Sequence, residues 1–362
     1  MLRITEYIRE TLQEKAERES KGIVCIWNLT NACNLYCKHC YSSANQQTDT
    51  ELGIDEIKAV IPELQRAGVK FVILSGGEPL LRESAFEVAK LLRERGMMTY
   101  LSSNGLPINK GNIEDIKSSF DYVGISIDGE PETHDSFRGL KGAYERAMAA
   151  IRMCMGWGIG VGLRFTLSSL TLRSLPYVFE LVEREGIPKL YISHLVYSGR
   201  GKDISDLDTG AYLKAAKFIM DKAFEYVEAD KQIRIVTGNN DSEAVLLLRE
   251  FEKRYPEFYD DIYRRLKMWG GNQAGVRLVN INFRGDVRPD PFFQHPIGNL
   301  RETGFNEIWN SNGILSSLRE MPRILKGKCG ACNFIEICNG NSRPRAYAVY
   351  GDYLMEDPVC IL

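Results

Sequence analysis

The sequence predicts an α/β fold built on a parallel sheet. Six short β-rich runs alternate with amphipathic helical stretches between residues 22 and 198, and parallel strands need such crossovers. Gly68, Gly96 and Gly186 each follow a helical stretch, where a left-handed residue is favoured. Beyond residue 198 the alternation stops, and a tail rich in Cys, Gly and Asn ends the sequence. Six strand–helix units build either a doubly wound sheet or part of a β/α barrel. In both, a ligand site belongs at the carboxyl ends of the strands.

In chain order, residues 1–20 read as an amphipathic helix that can bury Leu2, Ile4, Ile8 and Leu12. Strands are predicted at 23–27, 69–74, 98–102, 122–127, 160–166 and 190–195, where β-branched and aromatic residues concentrate. Helices are predicted at 55–67, 84–95, 113–118, 143–157 and 175–185, with Asp55 and Ser84 placed as caps. Residues 199–210 form a polar loop, and 211–229 and 242–267 are charged helices. Residues 278–283 and 285–288 pair as a hairpin that turns at Arg284-Gly285. Residues 326–362 lack the apolar periodicity to fold without a staple.

Composition excludes several classes. Hydrophobic content of 44% and charged content of 26% are those of a soluble globular protein. A net charge of −2 supplies no field for nucleic acid or an anionic membrane. No window reaches the roughly 20 apolar residues of a membrane span, and the charged start has no apolar core of a secretory signal. The expected compartment is the cytoplasm. There, clustered thiols are more often metal ligands than disulfides. Of the 9 cysteines, Cys25 and Cys154 sit alone in apolar settings and read as core residues.

The first cysteine group is Cys33, Cys37 and Cys40, followed by Tyr41, directly after the first strand. A complete 4Fe-4S cubane uses four thiolates, so three leave one iron open to an outside ligand. The same spacing also describes a helical stripe. Zinc is a further alternative, with His39 as the nearby fourth donor. Strand ends downstream carry Ser75-Gly76-Gly77-Glu78-Pro79, Ser102-Ser103-Asn104-Gly105 and Ser126-Ile127-Asp128-Gly129, with Arg164 on the fifth strand. The Cys33-x3-Cys37-x2-Cys40 spacing with Tyr41 resembles the signature of the radical S-adenosylmethionine (SAM) superfamily. The resemblance implies a partial (β/α)6 TIM-like barrel. It implies a 4Fe-4S cluster on Cys33, Cys37 and Cys40 that binds S-adenosylmethionine through its open iron and yields a 5′-deoxyadenosyl radical. It also implies cofactor contacts at Tyr41, Gly76, Gly77, Glu78, Ser103, Asn104, Ser126, Asp128 and Arg164.

The second group, Cys329, Cys332, Cys338 and Cys360, supplies four thiolates. Four make a full set for a closed 4Fe-4S cluster, with a four-cysteine zinc site as the rival. Metal binding would supply the missing folding energy of the tail. The pattern resembles the SPASM or twitch extension of radical enzymes, but Ser342 and Asp290 stand where further cysteines are expected. This implies one auxiliary cluster, for two 4Fe-4S clusters in all, with an aspartate ligand left open. The implied domains are an N-terminal helix (1–20), the barrel (21–200), a helical connection (201–275) and the auxiliary-cluster domain (276–362).

Longer strings narrow the resemblance. They are Met1-Leu2-Arg3-Ile4, Ser193-His194-Leu195-Val196-Tyr197-Ser198-Gly199-Arg200-Gly201, Gly238-Asn239-Asn240-Asp241, Trp269-Gly270-Gly271-Asn272 and Ile337-Cys338-Asn339-Gly340-Asn341-Ser342-Arg343. They are similar to the NirJ family of heme d1 biosynthesis and, next, to the AhbC family of the alternative heme pathway. Both imply 12,18-didecarboxysiroheme as substrate, losing propionates in the first case and acetates in the second. A SPASM-type peptide maturase and a non-enzymatic tetrapyrrole carrier are the rivals. The implied partners are an anionic iron tetrapyrrole and an electron donor such as ferredoxin or flavodoxin. Candidate carboxylate anchors are Arg164, Arg200, Arg284, Arg288, Arg343 and Arg345. His194, His134 and His295 are candidate ligands or proton donors. Phe292, Phe293, Trp269 and Tyr197 are candidates for an apolar wall.

Overall fold

A computed structural model describes residues 1–16, 22–46, 48 and 50–362. One sheet of 10 strands organises the chain, in the order β10-β9-β8-β1-β2-β3-β4-β5-β6-β7. The six predicted strands are present as β1 (Ile23–Thr30), β2 (Val69–Gly76), β3 (Met98–Ser103), β4 (Tyr122–Ser126), β5 (Val161–Leu167) and β6 (Lys189–His194). Each pairs in parallel with the next. The two ends of the strand order do not pair with each other. The sheet is therefore a partial barrel with one side open, as the resemblance implies.

The structure extends this sheet at both margins. β7 (Arg234–Gly238) pairs in parallel with β6, inside the segment read as a helical connection. It is short and ends in Thr237-Gly238, so it carries no legible alternation. β8 (Leu278–Ile281) pairs in parallel with β1, and β9 (Asp286–Arg288) and β10 (Gly298–Asn299) follow antiparallel. The hairpin turns at Arg284-Gly285 as predicted: Gly285 has φ +87°, and the Asn282 side chain accepts from the Arg284 and Asp286 N–H groups.

Helices cover the outer face. Those at Ile54–Arg66, Ala85–Glu94, Ile113–Ser119, Ala143–Gly156 and Leu175–Glu185 match expectation within two residues at each end. Ser84 holds the cap position, but its hydroxyl accepts from Arg82 Nε and caps nothing. Asp55 lies in the first turn, and the capping contact is Gly53 N–H to Glu56. The predicted helix at 242–267 is two, Glu243–Arg254 and Tyr259–Trp269, separated by a turn that Pro256 opens. The N-terminal helix runs from Ile4 to Leu12; residues 17–20 of the expected helix lie outside the described residues. Leu2 exchanges two backbone hydrogen bonds with Thr237 of β7. Helix Pro131–Arg138 was not expected, because Phe137 is its only large apolar residue. Among the described residues, no helix is long and apolar enough to cross a membrane.

Alternation along the strands sorts the side chains. Leu163, Phe165, Leu190 and Ile192 face the helices in the main core. Arg164, Thr166, Tyr191 and Ser193 face the inside of the barrel, with Ser75, Ser102 and Ser126 from β2 to β4. A cavity open to solvent lies at the carboxyl ends of these strands.

Candidate active site

The loop after β1 carries the first cysteine group. Its neck is tied by Cys33 N–H to Asn45 C=O and Asn45 N–H to Asn31 C=O, both 3.0 Å. Cys33, Cys37 and Cys40 all border the cavity. Burial pushes the Cys33 thiol up to about 12 and raises Cys37 as well, although the Arg138 guanidinium opposes the rise at Cys37. Arg138 Nη1 donates to Cys37 Sγ at 3.7 Å, and Ala44 N–H donates to Cys40 Sγ at 3.3 Å.

Neighbouring backbone clasps this loop. A Cβ on Gly77 would sit 2.0 Å from the Ala32 carbonyl oxygen, and one on Gly199 would sit 2.3 Å from that of Cys40. No other residue type permits these approaches. Arg200 donates from Nε to Cys37 C=O at 2.8 Å and from Nη1 to Ala44 C=O at 3.1 Å, while its guanidinium lies 4.0 Å from the Tyr36 ring centroid. Arg200 thus holds the loop through Nε and Nη1, while it borders the cavity and its Nη2 has no hydrogen-bond partner among the described residues. Helix Pro131–Arg138 takes two further bonds, Tyr36 N–H to Arg138 C=O and Lys38 N–H to Phe137 C=O. The His39 ring stacks on Phe137 at 4.3 Å, and burial lowers its pKa to about 3.

The strand ends supply the rest of the cavity. Gly76, Gly77, Ser103, Asn104, Ser126, Arg164 and Tyr41 border it, as expected. The Asn104 side chain donates to Asn34 Oδ1 at 2.7 Å, and the Tyr41 hydroxyl donates to Asn28 Oδ1 at 3.0 Å. Arg164 lies 5.1 Å from the Tyr191 ring centroid and has no ion-pair partner among the described residues. Its charge is therefore available to an anion in the cavity. Glu78 does not border the cavity. Its fully buried carboxylate accepts from Asn104 N–H (2.8 Å), Leu80 N–H (3.3 Å) and the Ser103 hydroxyl (3.0 Å), while burial pushes its pKa up to about 7. Asp128 is corrected in the same way. Its carboxylate accepts from Arg138 Nε at 2.6 Å and from Thr166 N–H at 2.8 Å. Burial alone would raise its pKa, but Arg138 holds it below the usual carboxylate value.

Several substrate candidates are committed elsewhere. His194 shares a face with Leu190 and Ile192, and its Nε2 meets Glu243 Oε1 at 2.7 Å in a fully buried pair. Its backbone reaches the cavity, but its ring packs against Tyr212 behind the sheet. His134 Nδ1 accepts from Asp128 N–H at 3.1 Å, and burial lowers its pKa to about 4. Arg343 is fully buried, donating to the carbonyls of Tyr353, Met355 and Gly340. Arg345 is fully buried against Asp357 and the Leu195 carbonyl. Neither arginine borders the cavity, and both are held largely by local partners, with Arg343 Nε alone left unpaired among the described residues. Arg284 and His295 are exposed and away from the cavity lining, and Arg288 is half-buried, 3.8 Å from Asp286. Of the four wall candidates, Phe292 alone borders the cavity, 5.0 Å from Tyr41. Phe293 makes tilted and edge-on ring contacts with Tyr347 and Tyr353, Tyr197 donates to Asp206, and Trp269 packs on the core. Arg138 escaped sequence reasoning, because nothing marks its helix as part of the site.

In the second group, Cys329 lies in the turn Gly327–Ala331, Cys332 just after it, and Cys338 ends helix Ile335–Cys338. Burial raises the Cys338 and Cys360 thiols, and the neighbouring thiols of the group add to the rise. Ser342 caps helix Arg343–Tyr350 through its hydroxyl, which accepts from Arg345 N–H. Asp290 is buried, its pKa pushed up to about 7 by burial, and it accepts from Phe292 N–H at 2.8 Å. Among the described residues, no three His, Cys, Asp or Glu side chains converge as a single metal ion requires. The donors do fit iron–sulfur clusters: three thiols around a polar cavity leave an iron open, and four thiols on the tail complete a cubane. Cys25 and Cys154 are fully buried in the main core, as read.

Comparison with known proteins agrees. Residues 27–176 match the radical SAM superfamily, and residues 273–333 match SPASM, an iron–sulfur cluster-binding domain. The chain is 40% identical to the pre-heme d1 synthase of Dinoroseobacter shibae, over 100% of this chain and 92% of that protein. It is 36% identical to the Fe-coproporphyrin III synthase of Methanosarcina barkeri, over 95% and 89%. Among solved structures, Streptococcus suis SuiB bound to S-adenosylmethionine shares the fold, with a TM-score of 0.72 at 16% identity, covering 95% of this chain and 78% of that one. A radical SAM domain binds S-adenosylmethionine and a 4Fe-4S cluster, and a SPASM domain binds auxiliary iron–sulfur clusters. The chain belongs to the radical SAM superfamily and ends in a SPASM iron–sulfur domain.

Proposed function

We propose that this enzyme removes the two propionate side chains of 12,18-didecarboxysiroheme on the way to the oxo groups of heme d1. The observation that carries this reading is the 40% identity with a pre-heme d1 synthase, sustained along the whole chain. When bound, the cluster and S-adenosylmethionine supply the radical that takes a hydrogen atom from substrate. The protein's own contribution is placement and exclusion of water. Cys33, Cys37 and Cys40 hold the cluster. Tyr41, Gly76, Gly77, Ser103, Asn104, Ser126 and Arg164 form the cofactor bed, with Arg164 as counter-charge to its carboxylate. Phe292, Leu195 and Val196 offer apolar surface to the flat ring. Arg284 and Arg288, on the hairpin at the open side of the barrel, are the remaining cations for its carboxylates.

Cys329, Cys332, Cys338 and Cys360 would hold one auxiliary 4Fe-4S cluster, which would supply an electron acceptor. The external electron donor is a ferredoxin or flavodoxin, and the compartment is the cytoplasm. The identity with an Fe-coproporphyrin III synthase favours a second reading, removal of the two acetates. Mass spectrometry after anaerobic turnover of 12,18-didecarboxysiroheme separates the two by the mass lost per side chain. An unchanged tetrapyrrole, under conditions where S-adenosylmethionine is cleaved, would overturn both.

A further inference from the structure

Arg138 and Asp128 form a buried charge pair placed directly against one thiol of the first cysteine group. Arg138 Nε donates to Asp128 Oδ2 at 2.6 Å, and its Nη1 reaches Cys37 Sγ at 3.7 Å. The side chain is nearly buried, with 10% of its surface exposed against 0% for Asp128. The pair is also anchored on its far side. Asp128 Oδ1 accepts from Thr166 N–H at 2.8 Å, and Asp128 N–H donates to His134 Nδ1 at 3.1 Å. The guanidinium therefore cannot swing away from the sulfur without leaving a carboxylate that is itself held in place. Among the described residues, Cys33 and Cys40 have no such cation: Cys40 takes the Ala44 N–H and a contact with Ser42. Charge reaches the three ligands unequally, and Asp128 partly offsets the cation that does so.

We propose that Arg138 is a positioning residue that sets the reduction potential of the cluster held by Cys33, Cys37 and Cys40, with Asp128 as its opposing trim. Cluster potentials respond to net charge and to hydrogen bonds on the sulfurs. Activation adds one electron to the oxidised cluster, taking it from the 2+ to the 1+ state, with no bond made or broken in the protein. A fixed positive charge beside Cys37 stabilises the added electron. A carboxylate 2.6 Å from that cation weakens the effect. The pair thus biases how readily an outside reductant loads the site. This inference rests on the cluster assignment and not on the tetrapyrrole reading, so either can fail alone.

The test is an anaerobic redox titration of the full-length holoprotein, followed by electron paramagnetic resonance. The component whose signal changes on adding S-adenosylmethionine identifies the relevant cluster. Arg138→Gln should retain iron and shift the reduction equilibrium against the reduced state by about tenfold, ~59 mV for one electron. Arg138→Lys should recover part of that shift. Asp128→Asn should move the potential in the opposite direction. A purely structural pair gives no such opposition of sign. Native iron content with an unchanged potential in Arg138→Gln would overturn the proposal. Should Arg138→Gln fail to hold iron, Asp128→Asn decides: an unchanged or lowered potential refutes the idea, and a raised one supports it.

Discussion

Arg345 and Asp357 are paired at 2.8 Å with both side chains fully buried, and the same guanidinium donates to the Leu195 carbonyl just beyond β6. One arginine thus fastens the cysteine-rich tail to the barrel. Removing one partner of a buried ion pair strands the other charge, at a penalty of about 3–5 kcal/mol. Arg345→Leu should lower unfolding stability by that order, read by anaerobic chemical denaturation of the holoprotein. A substrate anchor would instead raise KM with stability unchanged.

Glu78 gives a pH signature. Burial holds its folded pKa at about 7, above the ordinary 4.5. Between these values the folded chain keeps a proton that the unfolded chain has released, so stability falls as pH rises. The contribution is complete below pH 4.5 and gone above about 7, with a limit of about 3 kcal/mol for such a shift. Glu78→Gln resembles the neutral form and should remove this slope. Melting temperatures of variant and parent, compared from pH 5.5 to 8, should diverge in favour of the variant as pH rises. Parallel curves would contradict the assignment.

Gly77→Ala should displace the cysteine loop. The added carbon meets a backbone oxygen at 2.0 Å, which has no flexible side chain to give way. Overpacking of this kind destabilises by about 1–3 kcal/mol. The expected result is loss of iron and sulfide from the first cluster with the tail cluster retained, measured by metal analysis and spectroscopy.

Arg164→Ala should weaken S-adenosylmethionine binding about 10- to 100-fold, the range for a lost hydrogen bond to a charged group. Equilibrium binding to the anaerobic holoprotein reads this directly. Arg164→Lys should restore only part of the affinity, because an ammonium lacks the planar fork.

Cys338→Ala should remove about half of the iron, since each four-iron cluster needs its thiolates. The resonance that responds to S-adenosylmethionine should persist. Loss of both clusters together would show that the tail is required to build the barrel site.

Much of this was written in local sequence. Six strands, their helices and the hairpin at Arg284-Gly285 were legible because each carries its own periodicity or turn residues. The cysteine loop was legible because spacing alone brings three thiols to one strand end. The functions of Arg138, Arg200 and Arg345 were not. Each donates to a group far along the chain, at Cys37, Ala44 or Leu195, and no local pattern reports such a partner. His194 misled for a related reason. It stands at a strand end, but strand alternation turns its ring away from the cavity and toward Glu243. β7 was hidden because five residues with two buried aliphatics carry too little pattern.

The incomplete wall of the sheet leaves two free margins, and such margins commonly act as templates for a neighbouring chain. Here one margin, β10, is a two-residue strand, too brief to guide pairing. The other, β7, already gives both backbone groups of Thr237 to Leu2. A sheet left open on one side is thereby reconciled with a surface that resists stacking into fibres.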